Sequence, residues 1–178
     1  LIHIADRPMQ GLLDKANQAA AVILCRRFRD RIMSVHKVDG AAPHLPASYE
    51  RGAAMSLFVG APAKAILAFL PDRALQALYL RHEEELRHAD GPSWNDFRTT
   101  LKEVRRKGVS VTTSEVGSGR LGIAAPVFRR SVVVASLSLV LDAGLDSNAE
   151  KMTFYSEAVI EAAQSISAEL DKHEAQIS

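Results

Sequence analysis

The chain has 178 residues, 47% of them hydrophobic and 24% charged, and its charges cancel to a formal +1. That length suits one domain, 1–178, around a single sizeable core, and the near-neutral balance excludes a global field able to hold nucleic acid or an anionic membrane. No apolar run approaches the roughly 20 residues needed to span a bilayer, and Leu1-Ile2-His3-Ile4 lacks the layout of a signal peptide. With one cysteine, Cys25, no internal disulfide can form, and no Cys/His spacing resembles a zinc motif. A cytoplasmic setting is expected, with Cys25 as a small buried hydrophobe and no membrane contact.

Residues 8 to 18 read as a short amphipathic helix opened by Pro8, with Met9, Leu12, Leu13 and Ala16 at helical spacing. Residues 20 to 26 and 32 to 38 are β-rich runs flanking Arg27-Phe28-Arg29-Asp30-Arg31, a hairpin with a charged, solvated tip. Residues 39 to 60, rich in Gly, Pro, Ala and Ser, form a long excursion with a short strand expected near 48 to 51. Pro62 fits the first turn of a helix reaching about Leu70, and Asp72 the N-cap of the next. In the polar stretch from 81 to 90, His82, Glu84, Glu85 and His88 lack the one-face spacing of a metal site. Neither metal nor cofactor is expected.

Ser93 with Asp96 three residues later, an apolar stripe of Phe97, Leu101 and Val104, and Gly108 at C′ define a helix over 94 to 107. Strands over 109 to 115, 120 to 128 and 132 to 141 should form an antiparallel meander. The loop Gly117-Ser118-Gly119 precedes a strand, so it lacks the helix N-terminus of a phosphate cradle. Ser147 with Glu150 opens a last helix to about Lys172.

Alternate strand residues point to opposite faces. One set in the meander is apolar: Val111, Leu121, Ile123, Val127, Val133, Leu137 and Leu139. The other is small or hydroxylated: Ser110, Thr112, Ser114, Gly122, Ala124, Ser136 and Ser138, continued by apolar Val140. A buried hydroxyl without a partner costs roughly 1 to 3 kcal/mol, so this second face should meet water, ligand or polar backbone. A mixed polar and apolar floor suits a ligand cavity, which the 39 to 60 excursion is placed to roof.

Several strings resemble the effector-binding domain of the isocitrate lyase regulator (IclR) family of bacterial transcription factors. They are the segment from Ser56 to Pro71, clearest at Lys64-Ala65 and Leu67-Ala68; Leu101-x-x-Val104-Arg105-Arg106-Lys107-Gly108; Gly119 to Val127, ending Ala124-Ala125-Pro126-Val127; and Val133 to Leu139. The resemblance implies an α+β, GAF-like (profilin-like) fold, a curved antiparallel sheet flanked by α-helices with the ligand pocket on its concave face. It implies a small-molecule effector, an assembly as homodimer or tetramer, and operator DNA bound only through an upstream winged helix-turn-helix domain. Residues 1–7 would then be the remnant of a linker helix, in keeping with a chain that starts at Leu1 inside an apolar pattern. Family pocket positions fall at Thr112, Gly122, Ser138 and Val140 and on the loop carrying Gly60, Ala61 and Ala63. The helix N-terminus at Gly60 to Ala63 is read as free to bind a ligand carboxylate through backbone amides, with Arg120 assisting. Acidic, polar and serine residues usual near Thr112, Gly122 and Val140 are replaced, as are the usual residues at Phe58, Gly60 and Ala63. This implies a roomier pocket for a larger organic or aromatic acid.

The chain is not expected to be an enzyme. A GAF-like enzyme acting on a small acid would need Cys25, Ser136 or Ser138 as nucleophile and His36 as base, and no spacing supports a triad. A ligand-free dimerisation module is the third reading, marked by a sealed face.

Overall fold

A computed structural model describes residues 1–16, 21–40, 49–144 and 148–175. Helix α1 (Ile2–Lys15) is followed by the hairpin β1 (Ala21–Phe28) and β2 (Arg31–Asp39), then the short β3 (Ala54–Ser56). Four helices come next: α2 (Ala61–Leu67), α3 (Asp72–Arg81), α4 (Glu83–His88) and α5 (Trp94–Lys107). The chain then runs through β4 (Ser110–Thr113), β5 (Arg120–Arg129) and β6 (Val132–Asp142) into α6 (Ala149–Ala175).

The strands form one six-stranded antiparallel sheet in the order β3-β2-β1-β6-β5-β4. Pairing of β1 with β6 joins the N-terminal hairpin to the C-terminal meander and makes the two halves one sheet. On one face α1 and α6 cover a continuous apolar core that includes Met9, Leu12, Val22, Leu24, Ile123, Leu137, Leu139 and Val159. On the other face Ile23, Cys25, Ile32 and Val140 pack with residues of α2, α3 and α5.

Helix α5 has the expected bounds because its ends are written locally. Ser93 Oγ accepts from the Asp96 amide at 3.2 Å, and Gly108 closes the helix with φ 72°. Other elements depart from expectation for physical reasons. Helix α1 starts at Ile2, after the N-cap Leu1, with Pro8 inside it, so residues 2–7 belong to the same helix as Met9 and Leu12; the proline only removes the amide that would have bonded Ile4. The end of the expected helix at 17 and 18, residues 41 to 48 of the excursion, and the expected cap Ser147 lie outside the described residues. Asn148 Oδ1 instead accepts from the Lys151 amide at the start of α6. The short strand falls at Ala54–Ser56, paired with Arg31, Ile32 and Met33. Helix α2 ends at Leu67, and Pro71, not Asp72, is the cap residue of α3. Helix α4 falls within the polar stretch from 81 to 90, where Leu86, its one buried residue, gives no apolar stripe to mark it.

Two expected face assignments are corrected. A register shift between Val127 and Phe128 turns Val133 to the α2 side, where it packs against the core on that face. Val111 lies on the edge strand, 45% exposed, rather than beneath a helix.

Candidate functional site

Cross-strand registers arrange the α2 side of the sheet in rows. Thr112, Gly122, Val140 and Ala21 form one row across β4, β5, β6 and β1. The next holds Ser110, Ala124, Ser138 and Ile23, and the third Pro126, Ser136, Cys25 and Ser34. The structure therefore brings Thr112, Gly122, Val140 and Ser138 together, as alternation in the sequence required. Pro126 is tolerated inside β5 because β4 pairs only as far as Ala124, leaving the proline beside no further strand on that side.

Helix α2 lies over this face. Ala61 and Ala65 pack on Ala124, all three fully buried. A side chain at Gly122 would place its Cβ 3.3 Å from Thr112 Oγ1 and 3.5 Å from the Ala61 methyl. The small residues of β5 thus have a packing cause: they let a helix approach the sheet closely. This narrows the expected hollow, since α2 fills the space over β5 and β6 alike.

The β6–β1–β2 half differs. Ser34, Ser136 and Ser138 are 1%, 0% and 0% exposed, and none of their hydroxyls has a hydrogen-bond partner among the described residues. Beside them lies the thiol of Cys25, pushed by burial from 9.0 up to about 12 and so neutral. Tyr49, 4% exposed, lies near both Cys25 and Arg120; burial raises its phenol pKa, Arg120 lowers it and Cys25 raises it further. Arg120 itself is mostly covered, with its guanidinium 3.9 Å from the Asp142 carboxylate. Ser34, Cys25 and Tyr49 were missed as site residues. Ser34 and Cys25 share this face with Ser136 only through the β1–β6 pairing, which has no local sequence signal.

The start of α2 is fixed from β4 and the loop after it. Gly60 has φ 88° and ψ 157°, a conformation open essentially to glycine alone, and an added Cβ would come 2.6 Å from Val116 Cγ2. The Gly60 amide donates to Glu115 Oε2 at 2.9 Å, and Lys64 Nζ bonds Glu115 Oε1 at 2.5 Å. The helix entrance read as free for a ligand carboxylate is thus held by an internal one, while Ala63 is buried in the core beneath. At the other end, Arg105 Nε donates to the Ala68 carbonyl at 2.6 Å. Phe58, just before α2, packs among Tyr79, His82 and Phe97 with ring centroids 5.3 to 6.4 Å apart.

Other chemistry resolves into structure. His36 bonds Asp6 at 3.0 Å and pairs in register with Leu24, on the opposite face from Cys25, Ser136 and Ser138, so it is no base for them. His82 ties α4 to the hairpin, with Nδ1 3.1 Å from Glu85 and Nε2 3.5 Å from Asp30. Among the described residues no group of three or more His, Cys, Asp or Glu is placed to hold a metal, and no helix is long and apolar enough to cross a membrane. A surface hollow of about 610 Å³ between α1 and α6, lined by His3, Ile4, Arg7 and Glu169, lies on the far side of the sheet from the orphaned hydroxyls.

Comparison with solved structures gives the class. The fold matches the C-terminal domain of the Escherichia coli transcriptional regulator KdgR at 26% identity and TM-score 0.79, covering 96% of this chain and 98% of that one. It also matches Thermotoga maritima IclR (23%, TM-score 0.84, 96% and 68%) and an IclR regulator from Alicyclobacillus acidocaldarius (21%, TM-score 0.77, 94% and 67%). A comparison with curated protein sequences finds no match. These features define the ligand-binding domain of a transcriptional regulator, not an enzyme.

The family model described as "Bacterial transcriptional regulator IclR C-terminal" matches residues 1–168, and the chain belongs to that family. Regulators of this family bind small-molecule effectors and DNA and act as oligomers.

Proposed function

We propose that this domain senses an organic acid on the α2 side of its sheet and thereby controls DNA binding by a winged helix-turn-helix domain upstream of Leu1, in a cytoplasmic homodimer or tetramer. The observation that carries the reading is the pair Ser136 and Ser138, fully buried with hydroxyls that no group of the described residues meets. A polar ligand atom supplies the missing partner. Because Glu115 occupies the entrance of α2, the ligand's carboxylate is assigned to Arg120, and Ser138, Val140 and the β1 side of the row form the floor. Thr112 and Gly122 bound the site beneath Ala61.

Helix α2 packs against β1, β4, β5 and β6, so a ligand that displaces it from the floor shifts everything that α2 carries. A ligand changes DNA affinity only by binding two arrangements of the assembly unequally, with couplings of about 1 to 3 kcal/mol typical.

Thermal unfolding in the presence of small carboxylic acids tests this. At a hundredfold excess over its dissociation constant an effector adds about 2.7 kcal/mol, raising the midpoint by roughly 5 to 10 °C for a domain of this size. Ser138→Phe should abolish the shift and keep the fold. The close seating of Ala61 and Ala65 on Ala124 favours a second reading, a ligand-free dimerisation module. A flat response to every acid would establish that reading over ours.

A further inference from the structure

The near-zero net charge of the chain hides one local concentration. Neighbouring strands β1 and β6 run antiparallel, so the last residues of β1 lie at the same end of the sheet as the first of β6. The β1–β2 and β5–β6 turns therefore stand side by side there, their centres about two strand spacings, or roughly 9.5 Å, apart. Register closes on Phe28 with Arg31 and on Arg129 with Val132, leaving the two-residue tips Arg29-Asp30 and Arg130-Ser131. Arg26, Arg27, Arg29 and Arg31 on the first hairpin thereby join Arg129 and Arg130 on the second, which the sequence keeps far apart. All but half-buried Arg27 are exposed.

Little opposes this charge. Asp30, the one acid in either tip, is taken by Arg81 at 3.0 Å and lies 3.5 Å from His82. Asp171 of α6 accepts the Arg130 amide at 2.9 Å. Among the described residues no carboxylate pairs with Arg26, Arg27, Arg29 or Arg31. Arg27 Nε instead donates to the Arg29 carbonyl at 2.8 Å, and the Arg29 guanidinium sits 5.8 Å from the centre of the Phe28 ring. That ring, 61% exposed, steadies the cation without neutralising it.

The backbone carries a second sign. Arg29 and Arg130 have φ 53° and 47°, the left-handed region where a two-residue hairpin favours Gly or Asn. Glycine would be the cheaper residue for folding at both tips, and strain of this kind gathers at functional positions. Arginine offers a planar fork that meets phosphate oxygens two at a time. Location points the same way. Asp171, which holds Arg130, is followed by Lys172 and His173, and these line a hollow together with Leu1 and His3. The arginine end of the sheet is thus the end at which α1 begins, where the proposed function puts the DNA-binding domain.

We infer that the two arginine tips form an accessory surface for the phosphate backbone of duplex DNA, engaged beside the contacts of the upstream domain. This goes beyond the proposed function, which gives DNA to that domain, and rests on its placement before Leu1 rather than on acid sensing. Phosphate contacts position a protein on a duplex without reading its sequence.

Fluorescence anisotropy of a labelled duplex of arbitrary sequence, titrated with this chain at low salt, tests the inference. Affinity should fall as salt rises, with a log–log slope of about −0.9 for each phosphate engaged. Arg29→Gly/Arg130→Gly should bind at least roughly tenfold more weakly, with a slope shallower by about two. Its unfolding midpoint should stay level or rise, because glycine fits both turns. Lys102→Ala/Lys107→Ala, which removes the same charge from exposed positions on α5, should bind as the parent does. No binding by the parent, or an equal loss in both variants, overturns the inference and leaves acid sensing standing. Tighter binding of poly-glutamate than of duplex also overturns it, in favour of an acidic protein partner.

Discussion

The two faces of this sheet are built from the same strands and treat polar groups in opposite ways. Beneath α1 and α6 the core is apolar throughout, with Leu24, Ile123, Leu137 and Leu139 fully buried and interlocked. Every buried polar side chain recorded among the described residues, Ser34, Ser110, Thr112, Ser136 and Ser138, sits on the α2 side. Folding alone would favour apolar residues on both faces, so the buried hydroxyls of the second face carry a cost that the first does not.

The contrast is broken most severely from the apolar side. Leu137→Ala empties a fully buried position between α6 and the sheet and should cost about 2 to 5 kcal/mol in denaturant unfolding. A loss under 1 kcal/mol would mean that this face is not the structural one.

Alkaline pH probes the other side. The Cys25 thiol has its folded pKa raised above the unfolded value, so the neutral form is the one that folding favours. That contribution is complete below the unfolded value and is lost as pH rises, so unfolding free energy should decline between pH 9.0 and about 12. The decline should be shallower in Cys25→Ala, and identical slopes would place the thiol in contact with water.

Gly60→Ala should cost on the order of 1 to 3 kcal/mol by urea melt, from its positive φ and its approach to Val116. A neutral result would show that the entrance of α2 is free to shift. The smallest of these effects is expected at the helix whose cap is most legible, where Ser93→Ala should cost about 1 kcal/mol.

The sequence was most readable where structure is written locally. Ser93, Asp96 and Gly108 mark both ends of α5, and alternation in β5 and β6 put Gly122, Ser138 and Val140 on one face. It was least readable where a long-range or irregular feature intervenes. The shift between Leu24 and Cys25 and the one beside Phe128 break strict alternation, and pairing of β1 with β6 is what carries Cys25 and Ser34 to the serines of β6. Small residues also have two physical meanings that composition does not separate. Gly122 and Ala124 are small because Ala61 and Ala65 rest on them, whereas the buried hydroxyls of Ser136 and Ser138 meet no hydrogen-bond partner among the described residues.

The unfolding free energy of Ser136→Ala/Ser138→Ala, set against that of the parent chain, bears on that distinction without knowledge of any ligand. If these hydroxyls are kept for an outside molecule, their removal relieves an unmet burial and the variant is as stable as the parent or up to about 2 kcal/mol more so. A loss of more than about 2 kcal/mol would show that they serve the fold, and the functional account of this face would be wrong.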